Sequence, residues 1–100
     1  MSYFIKTEII KKEYLTKLKF RNNIIKNHIN WVKTLKSEGL NINSGFLIDQ
    51  LKKPGGGGLL ILECPSYEDA EAIIKNDPMI INKIVDWKLY EWVDVIKKDN

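Results

Sequence analysis

Apolar positions change their spacing several times along the chain, and each change marks an element. Residues 3–10, YFIKTEII, combine aromatic and β-branched side chains and read as a strand. A charged connection follows. From Phe20 to Glu38 the spacing turns helical: Ile24, His28, Trp31 and Leu35 fall at i, i+4, i+7 and i+11, Ile25 and Val32 lie beside them, and Gly39 stands just past the last turn as a stop. Residues 40–48 begin with Leu40 and Ile42 alternating against Asn41 and Asn43, the period of a second strand. DQLKKPGGGG is punctuated by proline and glycine and reads as a mobile hairpin connection. LLILEC, residues 59–64, is too short for a helix between the glycines and Pro65 and predicts a buried strand. Residues 66–77 open with Ser66 as N-cap, Asp69 three residues on and Glu68 in the first turn, and Ala70, Ile73 and Ile74 form the inward stripe of a second helix. Residues 84–96, IVDWKLYEWVDVI, close the pattern as a long strand.

The predicted order is β-α-β-β-α-β, the ferredoxin-like split βαβ arrangement of the α+β class, with both helices on one face of an antiparallel sheet. One domain is expected over 1–100, with a core of about 3–95. The face away from the helices ought to be polar, yet Leu59 and Ile61 point opposite to Leu60, Leu62 and Cys64. Ile84, Tyr90 and Trp92 likewise point opposite to Val85, Trp87, Leu89 and Val93, with only Asp86 and Lys88 interrupting. An apolar second face needs a cover, and a second copy of the chain is the simplest one, so the pattern predicts a homodimer packed through its sheet faces.

Composition narrows the classes without choosing a function. The chain is 44% hydrophobic and 29% charged, ordinary for a soluble globular protein. No apolar run approaches the ~18 residues of a membrane span. Lys6 and Glu8 interrupt the N-terminal apolar stretch, which argues against a signal peptide. A single cysteine, Cys64, forms no internal disulfide and fits a reducing compartment, so the expected location is the cytoplasm. The net charge of +3 is weak, and lysines are interspersed with carboxylates. The abundance of Ile, Lys and Asn matches AT-rich codons, so no nucleic-acid partner is implied.

Two residues stand out as candidate chemistry. His28, the only histidine, lies on the inward stripe of the first helix. Asp77 follows Ile73 and Ile74 at i+4 and i+3, which would place it on the inward face of the second helix, at a C-terminus whose dipole disfavours a carboxylate. A core histidine and an Asp-Pro turn are the structural alternatives. If the two helices bring the pair together, the carboxylate fixes the tautomer of the imidazole and leaves its other nitrogen to take a substrate proton. KKPGGGG is no phosphate loop, because a strand follows the glycines and no Lys-Ser/Thr does. Cys64 reads as a small buried side chain, Trp31 and Trp87 as core, interface or cavity aromatics. One histidine and one cysteine do not make a zinc site within a monomer, and no cofactor is implied.

HINWVKTLKSEGLNINSGF, GGGGLLILECPSYEDAEAIIKNDPMI and the closing strand together resemble the YciI-like, or YCII-related, family over roughly residues 1 to 95. The specific parts are His28 before a helix that ends at Gly39, then Ser44-Gly45, the glycine run, and Ser66, Ala70, Asp77 and Pro78 in order. The resemblance implies a ferredoxin-like fold, a dimeric α+β barrel and an active-site histidine and aspartate, which map onto His28 and Asp77. The chain departs from the family pattern at Asn27 and Ile25, where proline and arginine are frequent, at Phe46 and at Asn82-Lys83; the loss of that arginine weakens the case for an anionic substrate held by a guanidinium. The reading that follows is a small enzyme, a lyase or isomerase acting on a small organic molecule. His28 would shuttle a proton, Asp77 would orient it, Ser44 and backbone N–H groups near Gly45 would hold a polar substrate atom, and Trp31 would line the site. The alternatives are a non-catalytic ligand-binding or interaction module using the same groove and, below it, haem binding through His28.

Overall fold

A computed structural model describes residues 1–97 of the chain; residues 98–100 of the expected domain lie outside the described residues. Strand β1 (Ser2–Ile10) leads through a 3-10 turn (Lys12–Tyr14) into helix α1 (Leu18–Ser37). Strands β2 (Ile42–Ile48) and β3 (Pro54–Cys64) form a hairpin, and helices α2 (Tyr67–Ile74) and α3 (Pro78–Ile81) connect β3 to β4 (Val85–Trp92). The four strands make one antiparallel sheet in the order β2-β3-β1-β4, the ferredoxin-like α+β fold.

The register decides which residues meet the helices. Ser44 pairs with Leu60, Leu60 with Lys6 and Lys6 with Leu89, so these four form one row across the sheet. Phe46, Gly58, Glu8 and Trp87 form the next row. Period-two alternation puts both rows on the face that also carries Phe4, Ile42 and Leu62, all fully buried beneath the helices. Val32 of α1 and Ala70 and Ile74 of α2 close over them in one core cluster. Each large side chain so buried contributes roughly 1.5–3 kcal/mol relative to exposure. Ile24, Met79, Ile84 and Val85 make a second cluster under the N-terminal half of α1. Among the described residues, no helix is long and apolar enough to cross a membrane.

Several local expectations shift. The helix expected over 66–77 ends at Ile74, and a second short helix, α3, follows it from Pro78. Pro78 offers no N–H and disfavours helical backbone at the residue before it, so Asp77 sits at φ −63°, ψ 124° and the chain restarts as α3 with Pro78 in its first turn. Ser66 caps α2 as the pattern predicts, its hydroxyl accepting the Asp69 N–H at 3.1 Å. The glycine run is not a connection: β3 starts at Pro54 and passes through it, and only Asp49–Lys53 turn the hairpin. Glycine is required there because a Cβ on Gly57, whose φ is +84°, would collide with the Glu8 backbone carbonyl of the neighbouring strand. β4 ends at Trp92 rather than running to 96, so Val93 is exposed rather than on the core side. Ile84 lies before the strand and is buried in the second cluster, not on the outer face.

The outer face is nevertheless apolar. Leu59, Ile61, Ile5, Ile9, Tyr90 and Trp92 are on it, and Ile9, Tyr90 and Trp92 are more than half exposed. A concavity of about 430 Å³ crosses it from Leu47 and Leu59 through Thr7 and Ile9 to Tyr90.

Candidate functional site

A relay of polar side chains spans the helix-facing side of the sheet: Glu8, Lys6, Asp77, His28 and Ser44. α1 turns His28 inward between Ile24 and Val32, the buried neighbours on its stripe. The residue is 9% exposed. Asp77 is fully buried in the turn between α2 and α3. Its Oδ1 accepts from His28 Nδ1 at 2.8 Å and from the Met79 N–H at 2.9 Å, and its Oδ2 accepts from Lys6 Nζ at 2.5 Å. His28 Nε2 meets Ser44 Oγ at 2.7 Å. The Trp31 ring lies beside the imidazole, with centroids 5.8 Å apart and planes inclined by 40°.

The structure thus brings His28, Asp77, Ser44 and Trp31 together, with Gly45 adjacent to Ser44 in β2. Two details of the expectation are corrected. Asp77 does not face the unfavourable end of a helix dipole; it is the N-cap of α3, where its Oδ1 holds a backbone N–H. The outer imidazole nitrogen is not free, because Ser44 occupies it.

Lys6 and Glu8 are the residues that pattern reading passed over. Lys6 is fully buried and forms ion pairs with both Glu8 and Asp77. Its burial follows from parity: Phe4, Lys6 and Glu8 share one side of β1, and Phe4 is core. The stem lies in the row with Leu60 and Leu89, while the ammonium is held by two carboxylates. Glu8 fits above the sheet because its cross-strand neighbour is Gly58; a Cβ there would come within 2.9 Å of Glu8 Cγ.

Electrostatics fix the protonation pattern. Burial pushes the Asp77 carboxyl up, but the hydrogen bond from His28 and the positive charge of Lys6 outweigh it, and the group lies below the usual carboxylate value. An ionised carboxylate only accepts, so His28 Nδ1 carries the hydrogen that it donates to Asp77. In the neutral ring Nε2 is then the acceptor, and the Ser44 hydroxyl donates to it. Cys64 is buried and free, and burial followed by the nearby charge of Asp69 raises its thiol, which suits an inert packing residue.

A family model described as the YCII-related domain matches residues 1–94. Among solved structures the chain is similar to 5-chloro-2-hydroxyhydroquinone dehydrochlorinase from Burkholderia phenoliruptrix AC1100 in complex with 2,5-dihydroxybenzoquinone, with a TM-score of 0.68 at 18% identity over 91% of this chain and 93% of that one. The de novo designed protein Foldit4 gives a TM-score of 0.50 at 12% identity over 92% and 94% of the two chains. A dimeric ferredoxin-like protein from an uncultured marine organism gives 0.49 at 15% identity over 97% and 96%. At such identities the likeness is one of fold. No curated protein matches the chain in sequence.

Proposed function

The chain belongs to the YCII-related domain family, and from that premise we propose that it is a small-molecule enzyme of lyase or isomerase type, with His28 as proton acceptor and Asp77 as the residue that orients it. The observation that carries the reading is the 2.8 Å bond between His28 Nδ1 and the fully buried Asp77 carboxylate. Such a bond holds the ring in the tautomer whose exposed nitrogen is basic, and it stabilises the imidazolium formed when a proton arrives. Ser44 rotates about its side-chain bond to release Nε2 and donates to a polar substrate atom, and Trp31 flanks the ring of the substrate. The backbone N–H groups on either side of Gly45, which point away from β3 and are unpaired among the described residues, add further donors.

The substrate class is a hydroxylated aromatic or quinoid ring, by analogy with the chlorinated hydroxyhydroquinone on which the structural neighbour acts. The test is turnover of 5-chloro-2-hydroxyhydroquinone and related halogenated hydroquinones, read as halide release. His28→Gln should lose about 100-fold or more. A variant that keeps both its affinity for 2,5-dihydroxybenzoquinone and its turnover would overturn the assignment, and affinity with no wild-type turnover would make the chain a binding module.

The same reading assigns a second copy of the chain to the outer sheet face, where Leu59, Ile61 and Tyr90 would pack against their counterparts. It also assigns the protein to the cytoplasm, in keeping with its single buried, unpaired cysteine.

A further inference from the structure

Asp77, His28 and Ser44 are joined by two consecutive hydrogen bonds, 2.8 Å from Nδ1 to Oδ1 and 2.7 Å from Nε2 to Oγ. The carboxylate is fully buried, the histidine is nearly so, and the hydroxyl lies on the exposed edge strand β2. A nucleophile bonded to a base that is in turn bonded to an orienting acid is the arrangement that activates serine, whatever the fold and the chain order. We propose that Ser44 is a nucleophile and that the chain catalyses acyl transfer from small activated esters to water.

The proton positions support this direction. In the neutral ring the Nδ1 hydrogen belongs to the bond with Asp77, and the hydrogen between Nε2 and Ser44 then comes from the serine. Lys6 holds the second oxygen of Asp77 and keeps the carboxylate charged although it is out of water. As Oγ attacks the ester carbonyl, the Oγ–C bond forms and the hydroxyl proton passes to Nε2. The C–O bond to the leaving group then breaks, and Nε2 returns that proton to the departing oxygen. Water attacks the acyl-serine, gives a proton to Nε2, and the Oγ–C bond breaks as Oγ recovers it. The sum is ester plus water to acid plus alcohol.

The ladder supplies a donor for the oxyanion. The Glu63 N–H bonds the Asn41 carbonyl at 2.9 Å across the β2–β3 pair. Backbone groups alternate in direction along an antiparallel strand, so Asn43 and Gly45 face β3 while Ser44 and Phe46 turn their N–H groups to the free edge. The Ser44 N–H therefore stands next to its own Oγ, available to a developing oxyanion. The rings of Trp31 and the exposed Phe46, which is on the same side of β2 as Ser44, favour an aromatic group in the ester. One oxyanion donor implies a modest rate, so esters of acidic phenols are the class expected to react.

This inference uses the His28–Asp77 pair but not the lyase reading, and the two separate experimentally. The full chain is treated with an alkyl fluorophosphonate and with p-nitrophenyl acetate. The expected result is a single phosphonyl adduct on the Ser44 peptide, an initial burst of nitrophenol, and loss of both in Ser44→Ala, with steady-state hydrolysis lowered by about 100-fold. His28→Gln should lose the adduct as well, while far-UV circular dichroism checks that both variants fold. An unlabelled chain, an adduct elsewhere, or Ser44→Ala hydrolysing at the wild-type rate overturns the proposal. Labelling of Ser44 without turnover of hydroquinones supports it and defeats only the lyase reading; hydroquinone turnover with Ser44 unlabelled does the reverse.

Discussion

Replacing Lys6 with methionine measures how much the buried charge relay matters. The ammonium is fully buried between Glu8 and Asp77 and lies 2.5 Å from Asp77 Oδ2. Methionine keeps most of the apolar stem in its row with Leu60 and Leu89, but it leaves Oδ2 without its donor. Removing one partner of a buried pair costs about 3–5 kcal/mol, because the other charge stays desolvated. Two features favour the lower end. Oδ1 keeps its bonds from His28 and the Met79 N–H, and Glu8 retains some contact with water. A loss of about 3 kcal/mol at pH 7 is therefore expected, which for a domain of this size lowers Tm by roughly 12–24 °C.

The pH dependence makes this prediction specific. In the wild type the Asp77 carboxyl is depressed, so its contribution is fully present above the unfolded value of about 3.9 and is lost only as pH falls through the lower folded value. In the methionine variant desolvation is no longer opposed by Lys6, and the folded value rises. The carboxylate is then held down by His28 alone, so the stability that Lys6 contributes through the ionised form is lost as pH falls through the variant's higher folded value. The difference between the two proteins should shrink between pH 7 and about pH 4.5. Urea unfolding followed by circular dichroism at both pH values gives the two differences directly, provided the m-values agree. A loss below about 1 kcal/mol at pH 7, or an equal loss at both, would refute the view that Lys6 compensates a buried carboxylate.

Gly57→Ala should destabilise the sheet by at least about 2 kcal/mol in the same assay, since it adds a Cβ against the Glu8 carbonyl at a φ of +84°; a neutral effect would mean that β3 and β1 are not so closely apposed. Ser66→Ala removes the acceptor for the Asp69 N–H and should cost about 1 kcal/mol, with Ser66→Thr close to neutral. The wild-type chain should elute and scatter light as a dimer, and Ile61→Asp, which puts a charge on the outer face, should give a folded monomer; a monomeric wild type would leave that face uncovered and remove the dimer from the reading.

The order of the main elements was readable where the spacing was regular: a helical stripe through Ile24, His28 and Val32, and alternation at the start of β2. The His28–Asp77 contact was readable as well, although for a reason that turned out to be incomplete. The Asp-Pro step looked like the end of one helix, and it is also the beginning of another; the same lack of a proline N–H that stops α2 suits the first turn of α3. Lys6 and Glu8 stayed hidden because a charged strand residue is expected to face water. Their parity with Phe4 was the available signal, but parity names a side and not a partner. The glycines hid for the opposite reason. They read as loop, yet in β3 the absence of side chains is what admits the Glu8 backbone at Gly57 and its side chain at Gly58. A buried lysine needs a second carboxylate, that carboxylate needs room above the sheet, and the room comes from a residue without a Cβ. Gly58, Glu8, Lys6 and Asp77 are thus a single physical requirement distributed over β3, β1 and the α2–α3 turn, and no local window of the sequence contains it.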